Sequence, residues 1–65
     1  MTGERLMTVP ETARFLNISE PSLRNLMCRR SIPFFHVGER RVRFDPQELR
    51  RWLDERRVPA VEMTR

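Results

Sequence analysis

The sequence predicts a mainly α domain carrying one small β-hairpin, and three observations predict it. Helix-start signals recur at Thr8, Ser19 and Asp45. Between Phe34 and Phe44 the hydrophobic period drops from the helical value to two. The chain has 65 residues, enough for one hydrophobic core and no second one.

Residues 1–5 carry no periodic signal and are expected to be a loose, flexible terminus. Thr8-Val9-Pro10-Glu11 reads as a capping box: the threonine hydroxyl takes a first-turn amide, and the glutamate three places on reaches back. Pro10 is tolerated there because first-turn amides lack helical acceptors. Val9, Ala13 and Leu16 recur at helical spacing, and Asn17, which accepts a left-handed backbone, marks the stop. Ser19 caps a second helix two residues later, with Glu20 and Pro21 in its first turn. Leu23, Leu26 and Met27 form its inward face, leaving Glu20, Ser22, Arg24, Asn25, Cys28 and Arg29 outside.

After Ser31 the alternation predicts a hairpin, with Phe35, Val37, Val42 and Phe44 on the core face and His36, Arg41 and Arg43 pointing away. Gly38-Glu39-Arg40 makes the turn, with Arg40 near its tip. Asp45-Pro46-Gln47-Glu48 reads as another capping box, opening a third helix with the apolar stripe Leu49, Trp52 and Leu53. Val58-Pro59 ends it. The domain is therefore expected over residues 6–57, with a tail over 58–65. The order helix, tight turn, helix, two-stranded wing, helix is the winged helix-turn-helix plan.

Hydrophobic residues are 38% of the chain and charged residues 34%, too apolar for a disordered polyelectrolyte. The net charge is +4 and every basic residue is arginine. From residue 20 to 43, Arg24, Arg29, Arg30, Arg40, Arg41 and Arg43 face only Glu20 and Glu39, whereas the remaining seven arginines and seven acids cancel. The whole net charge thus falls on the second helix and the wing, the two elements such a fold presents to double-stranded DNA.

By role, Ser22, Arg24 and Asn25 are the expected groove-facing residues, arginine being suited to guanine and asparagine to adenine. Arg29 and Arg30 are expected to hold phosphates, and Arg40, Arg41 and Arg43 to make the wing contacts, with His36 a weaker candidate. Arg50, Arg51, Arg56 and Arg57 read as a solvated helix face paired with Glu48, Asp54 and Glu55. Cys28 reads as a partly buried filler, Trp52 as a core anchor, and Phe34 as core or a contact with Leu53 ahead of a wedge or an oligomer contact.

The string Leu6-Met7-Thr8-Val9-Pro10-Glu11-Thr12-Ala13-Arg14-Phe15-Leu16-Asn17-Ile18-Ser19, followed by Ser22-Leu23-Arg24-Asn25-Leu26-Met27, resembles the opening of excisionase-type, MerR-like DNA-binding domains. Ile32-Pro33, Phe35-His36-Val37-Gly38, Arg41-Val42-Arg43-Phe44 and Leu49, Trp52 and Leu53 continue the resemblance in order and approximate spacing. Asn17 stands where a glycine is common, and Gly38-Glu39-Arg40-Arg41 makes a turn one residue longer than usual. Within that family the chain most resembles the phage excisionases, or recombination directionality factors. The resemblance implies a protein without enzymatic activity that binds repeated DNA sites cooperatively, bends DNA and directs a partner integrase toward excision, in the cytoplasm of a bacterial host. A small MerR-like transcription regulator is the alternative, and the eight residues after Arg57 leave little room for a regulator's effector region.

Other classes find less support. One cysteine and one histidine cannot complete a tetrahedral zinc site, and Cys28 has no disulfide partner within the chain. No phosphate-cradling glycine loop exists, so no nucleotide cofactor is expected, and His36 has no nucleophile beside it in sequence. No apolar run approaches a membrane span, and the first residues lack the order of a signal peptide. An adaptor that meets an acidic protein through Phe34 and the basic surface would show no preference among DNA sequences.

Overall fold

The computed structural model describes residues 5–60. Most of the expected loose terminus, and residues 61–65 of the expected tail, lie outside them. Three helices and one hairpin follow in the order α1 (Val9–Leu16), α2 (Glu20–Cys28), β1 (Phe35–His36), β2 (Val42–Arg43) and α3 (Pro46–Glu55), a winged helix-turn-helix.

The first capping box forms in full. The Thr8 hydroxyl accepts from the Glu11 backbone N–H at 3.3 Å, and the Thr8 N–H donates to Glu11 Oε1 at 2.9 Å. That N–H holds the Glu11 carboxyl below its ordinary value. Asn17 stops α1 in the left-handed region at φ 60°, so that the Ile18 N–H reaches the Ala13 carbonyl at 2.9 Å and the Asn17 N–H reaches Arg14 at 3.1 Å. Ser19 caps α2 immediately afterwards, its hydroxyl accepting from the Ser22 N–H at 3.2 Å. Two opposed caps separated by Ile18 make the tight turn.

The end of α2 repeats this stop with a different residue. Arg30 adopts φ 58°, and the N–H groups of Ser31 and Arg30 bond back to the carbonyls of Leu26 and Met27 at 2.9 and 3.0 Å. Asp45 caps α3 through a 3.0 Å bond from the Gln47 N–H, without the reciprocal Glu48 bond that the sequence pattern predicts.

The core draws on every layer: Val9 and Ala13 from α1, Leu23 from α2, Ile32 from the α2–β1 connection, Phe44 from the end of the wing and Leu49 from α3. Leu23, Phe44 and Leu49 are fully buried, each worth about 1.5–3 kcal/mol of transfer free energy. Phe44 is fixed further by a pair of 2.8 Å backbone bonds to Met7, which add a third rung beside β2 that the periodicity did not announce. Trp52 closes the far side: its indole N–H donates to the Ser31 carbonyl at 2.6 Å, tying α3 to the α2–β1 connection.

The wing corrects one expectation. Phe35 pairs with Arg43 and His36 with Val42, so directly opposed residues share a face. Phe34, His36, Val42 and Phe44 therefore lie on one face, where Phe34 and Val42 pack on the core. Phe35 and Val37 lie on the other with Arg41 and Arg43, and remain 41% and 44% exposed. The cause is the loop. A four-residue turn would pair Val37 with Val42, but residues 38–40 close a three-residue loop in which the Val37 N–H donates to the Arg41 carbonyl at 2.7 Å. A one-residue change in loop length reverses the faces of one strand relative to the other. Gly38 makes the tighter loop possible at φ 79°. On α3 the stripe is narrower than predicted: Leu49 is buried and Trp52 half-buried, whereas Leu53 is 41% exposed.

Candidate nucleic-acid interface

With Leu23 buried and Leu26 and Met27 half-buried, α2 has one committed face and one free one. Helical spacing centres the free face on Pro21, Asn25 and Cys28, with Arg24 on one flank and Ser22 and Arg29 on the other. All six are exposed. Pro21 and Cys28 are the positions that residue-type reasoning missed, because neither is a usual base-reading residue. The signal was present in the complement of the inward stripe. Cys28 is exposed, not the partly buried filler expected.

Each polar group on this face retains capacity for a ligand. The Asn25 amide makes no hydrogen bond among the described residues, so its donor and acceptor are both available. Ser22 accepts from the Ser19 hydroxyl at 2.9 Å, which orients its oxygen and leaves its own proton to donate. Arg24 sits 4.0 Å from Glu20, both side chains largely exposed, an ion pair of marginal strength that a phosphate can displace.

The arginines after α2 part company. Arg29 ends the helix on the Ser22 side of the free face, and it is exposed without a carboxylate partner among the described residues. Arg30 turns away through its left-handed backbone and borders an open groove of about 420 Å³ against α3, with Ile32, Pro33, Glu48, Trp52 and Glu55 among its walls.

On the wing, Arg40 stands in the tip loop and Arg41 beside it, both exposed and without ion pairs among the described residues. Arg43 is half-buried. Its guanidinium donates to the Val42 carbonyl at 2.8 Å, which holds it along the strand and leaves most of its N–H groups unused. His36 does not point away with the arginines as predicted; it lies on the face of Phe34, ring against ring at 5.6 Å.

Arg56, the C-cap of α3, behaves differently. Arg56 stacks 4.4 Å over the Trp52 ring and also donates to the Ser31 carbonyl at 3.3 Å, so it braces the α3 joint, and its ion pair with Glu55 at 3.8 Å is secondary. Among the described residues no three His, Cys, Asp or Glu side chains gather in a metal-binding arrangement. No helix there is long and apolar enough to cross a membrane.

Two basic clusters therefore stand on the second helix and the wing of a winged helix-turn-helix. A helix-turn-helix domain model matches residues 6–57, and the chain belongs to that DNA-binding family. Comparison with curated proteins and with solved structures found no match.

Proposed function

We propose that the chain is a sequence-specific architectural DNA-binding protein of the excisionase type, which binds repeated sites cooperatively, bends the duplex and directs a partner integrase toward excision. It acts on DNA in the cytoplasm of a bacterial host. The observation that carries the DNA reading is the set of exposed arginines without strong partners among the described residues on α2, at its end and on the wing: Arg24, Arg29, Arg40 and Arg41. Leu23, Ile32, Phe34, Val42 and Phe44 hold these elements to the core, so these arginines have no evident structural task.

In this reading α2 enters the major groove with Ser22, Arg24 and Asn25 toward base edges, while Arg29 holds the adjacent phosphate. Arg30 reaches a phosphate from the groove beside α3. Arg40, Arg41 and Arg43 grip the backbone at the minor-groove rim. The recruitment step follows from size: a single module of this kind buries about 600–1,000 Å² on DNA, so useful affinity requires neighbouring copies or a partner. The excision role itself is supported by the sequence resemblance, which a small transcription regulator would share.

A gel-shift titration on genomic fragments that include an attachment site, at two salt concentrations with excess competitor DNA, tests the reading. Discrete, cooperative and retarded complexes, altered further by the integrase, are the expected result. Cooperative binding confined to promoter fragments would favour the regulator, and no binding at low salt would refute both.

A further inference from the structure

The outer face of the wing has a composition that phosphate contact alone does not explain. Phe35 stands directly opposite Arg43, and the closing pair of the loop sets Val37 opposite Arg41. The outcome is a strip of two apolar and two cationic side chains on one surface, with Phe35 and Val37 each more than two-fifths exposed. The core has no use for this face, since Phe34, Val42 and Phe44 occupy the opposite one. Phe35 and Val37 are adjacent on this face, and the residues opposite them across the hairpin are both arginines.

We propose that this strip is a docking surface for the deoxyribose-phosphate backbone of duplex DNA, in which Arg41 and Arg43 take phosphate oxygens while Phe35 and Val37 pack against the sugars beside them. The inference rests on the DNA-binding reading above and adds an apolar, salt-independent share of the affinity. A backbone strand carries its anionic phosphates on the outer edge with largely apolar sugar faces beside them, and the wing sets a cationic row on the β2 side beside an apolar row on the β1 side. The charge complementarity selects this occupant: an apolar protein surface would leave two guanidinium groups desolvated without partners. The 2.8 Å bond from Arg43 to the Val42 carbonyl holds its side chain along the strip, so the phosphate meets a partly ordered donor.

Salt separates the two contributions. A lost phosphate contact flattens the dependence of log affinity on log salt by about 0.9, whereas a lost apolar contact lowers affinity equally at every salt concentration. The full chain is titrated with a short mixed-sequence DNA duplex at several salt concentrations, alongside thermal unfolding of each variant. Phe35→Ala is expected to weaken binding roughly five- to tenfold throughout with an unchanged slope and an unchanged Tm. Arg41→Ala should flatten the slope. Phe34→Ala, on the core face, should lower Tm, the reverse of the Phe35 result. Should Phe35→Ala lose stability, Val37→Ser makes the same test with a smaller expected loss.

Wild-type affinity in Phe35→Ala and Val37→Ser, with a flattened slope in Arg41→Ala, overturns the apolar contact and leaves the DNA reading standing. Single-site affinity retained with cooperativity lost overturns it too, and assigns the strip to contact between copies. No binding by the wild-type chain at low salt removes the DNA reading and this inference with it.

Discussion

Two residues show opposite relations between side chain and environment. Thr12 is fully buried, yet its hydroxyl has no hydrogen-bond partner among the described residues. An orphaned buried hydroxyl costs about 1–3 kcal/mol, and valine has nearly the same shape without the polar atom. Thr12→Val should therefore raise stability by about 1 kcal/mol, which for a chain of this size lifts Tm by about 4–8 °C. A lower Tm in thermal unfolding would mean that the hydroxyl finds a partner in solution. Arg30 is the converse, an exposed side chain on an unfavourable backbone. Its φ of 58° costs a residue with a Cβ about 1–2 kcal/mol, offset in part by the lower unfolded-state entropy of arginine relative to glycine. Arg30→Gly should accordingly stabilise the fold by about 0.5–1 kcal/mol. If Arg30 also holds a phosphate, the same variant loses about 0.9 of salt slope, so stability and binding move in opposite directions.

At the scale of elements, the helices were legible and the wing only half so. Caps are local chemistry: Thr8 with Glu11, Ser19 and Asp45 start helices where their side-chain oxygens can reach free amides, and Asn17 stops one where a left-handed residue is needed. No distant contact is required to read them. The faces of β1 depend instead on whether three or four residues close the loop, and both counts fit a glycine at position 38; the pairing of Phe35 with Arg43 and the 2.7 Å bond between Val37 and Arg41 decide it. Arg24 and the wing arginines were visible as candidates because charge clusters in sequence, and Asn25 because it falls outside the inward stripe of its helix, but the exposure of Phe35 was not, since the expected alternation puts it on the core face. Equally hidden was the joint at Ser31, whose carbonyl accepts from Trp52 and Arg56 across more than twenty residues of chain. Trp52→Phe tests that joint. It removes the 2.6 Å bond and part of the surface under Arg56, and should cost about 1–2 kcal/mol, with the lower end favoured because Arg56 still satisfies the carbonyl. A urea midpoint that falls without a change in slope would be the expected signature.

At the scale of the molecule, the partition of charge makes the sharpest test. The net +4 resides between residues 20 and 43, and the rest of the chain is neutral. A diffuse cation would respond to loss of any arginine alike, whereas a localised interface responds only to those that touch phosphate. Arg41 and Arg57 are suitable probes, since both are exposed and neither has an ion pair among the described residues. They differ in place: Arg41 is on the wing and Arg57 just beyond α3. At physiological salt the screening length is about 8 Å, so a charge outside the contact surface is largely hidden from the duplex. Arg41→Ala should flatten the plot of log affinity against log salt by about 0.9, and Arg41→Ala with Arg29→Ala by about twice that. Arg57→Ala should leave the slope as it was. Equal flattening by Arg41→Ala and Arg57→Ala would mean that the protein binds as an undirected polycation, and the assignment of α2 and the wing as the DNA-facing surface would fall.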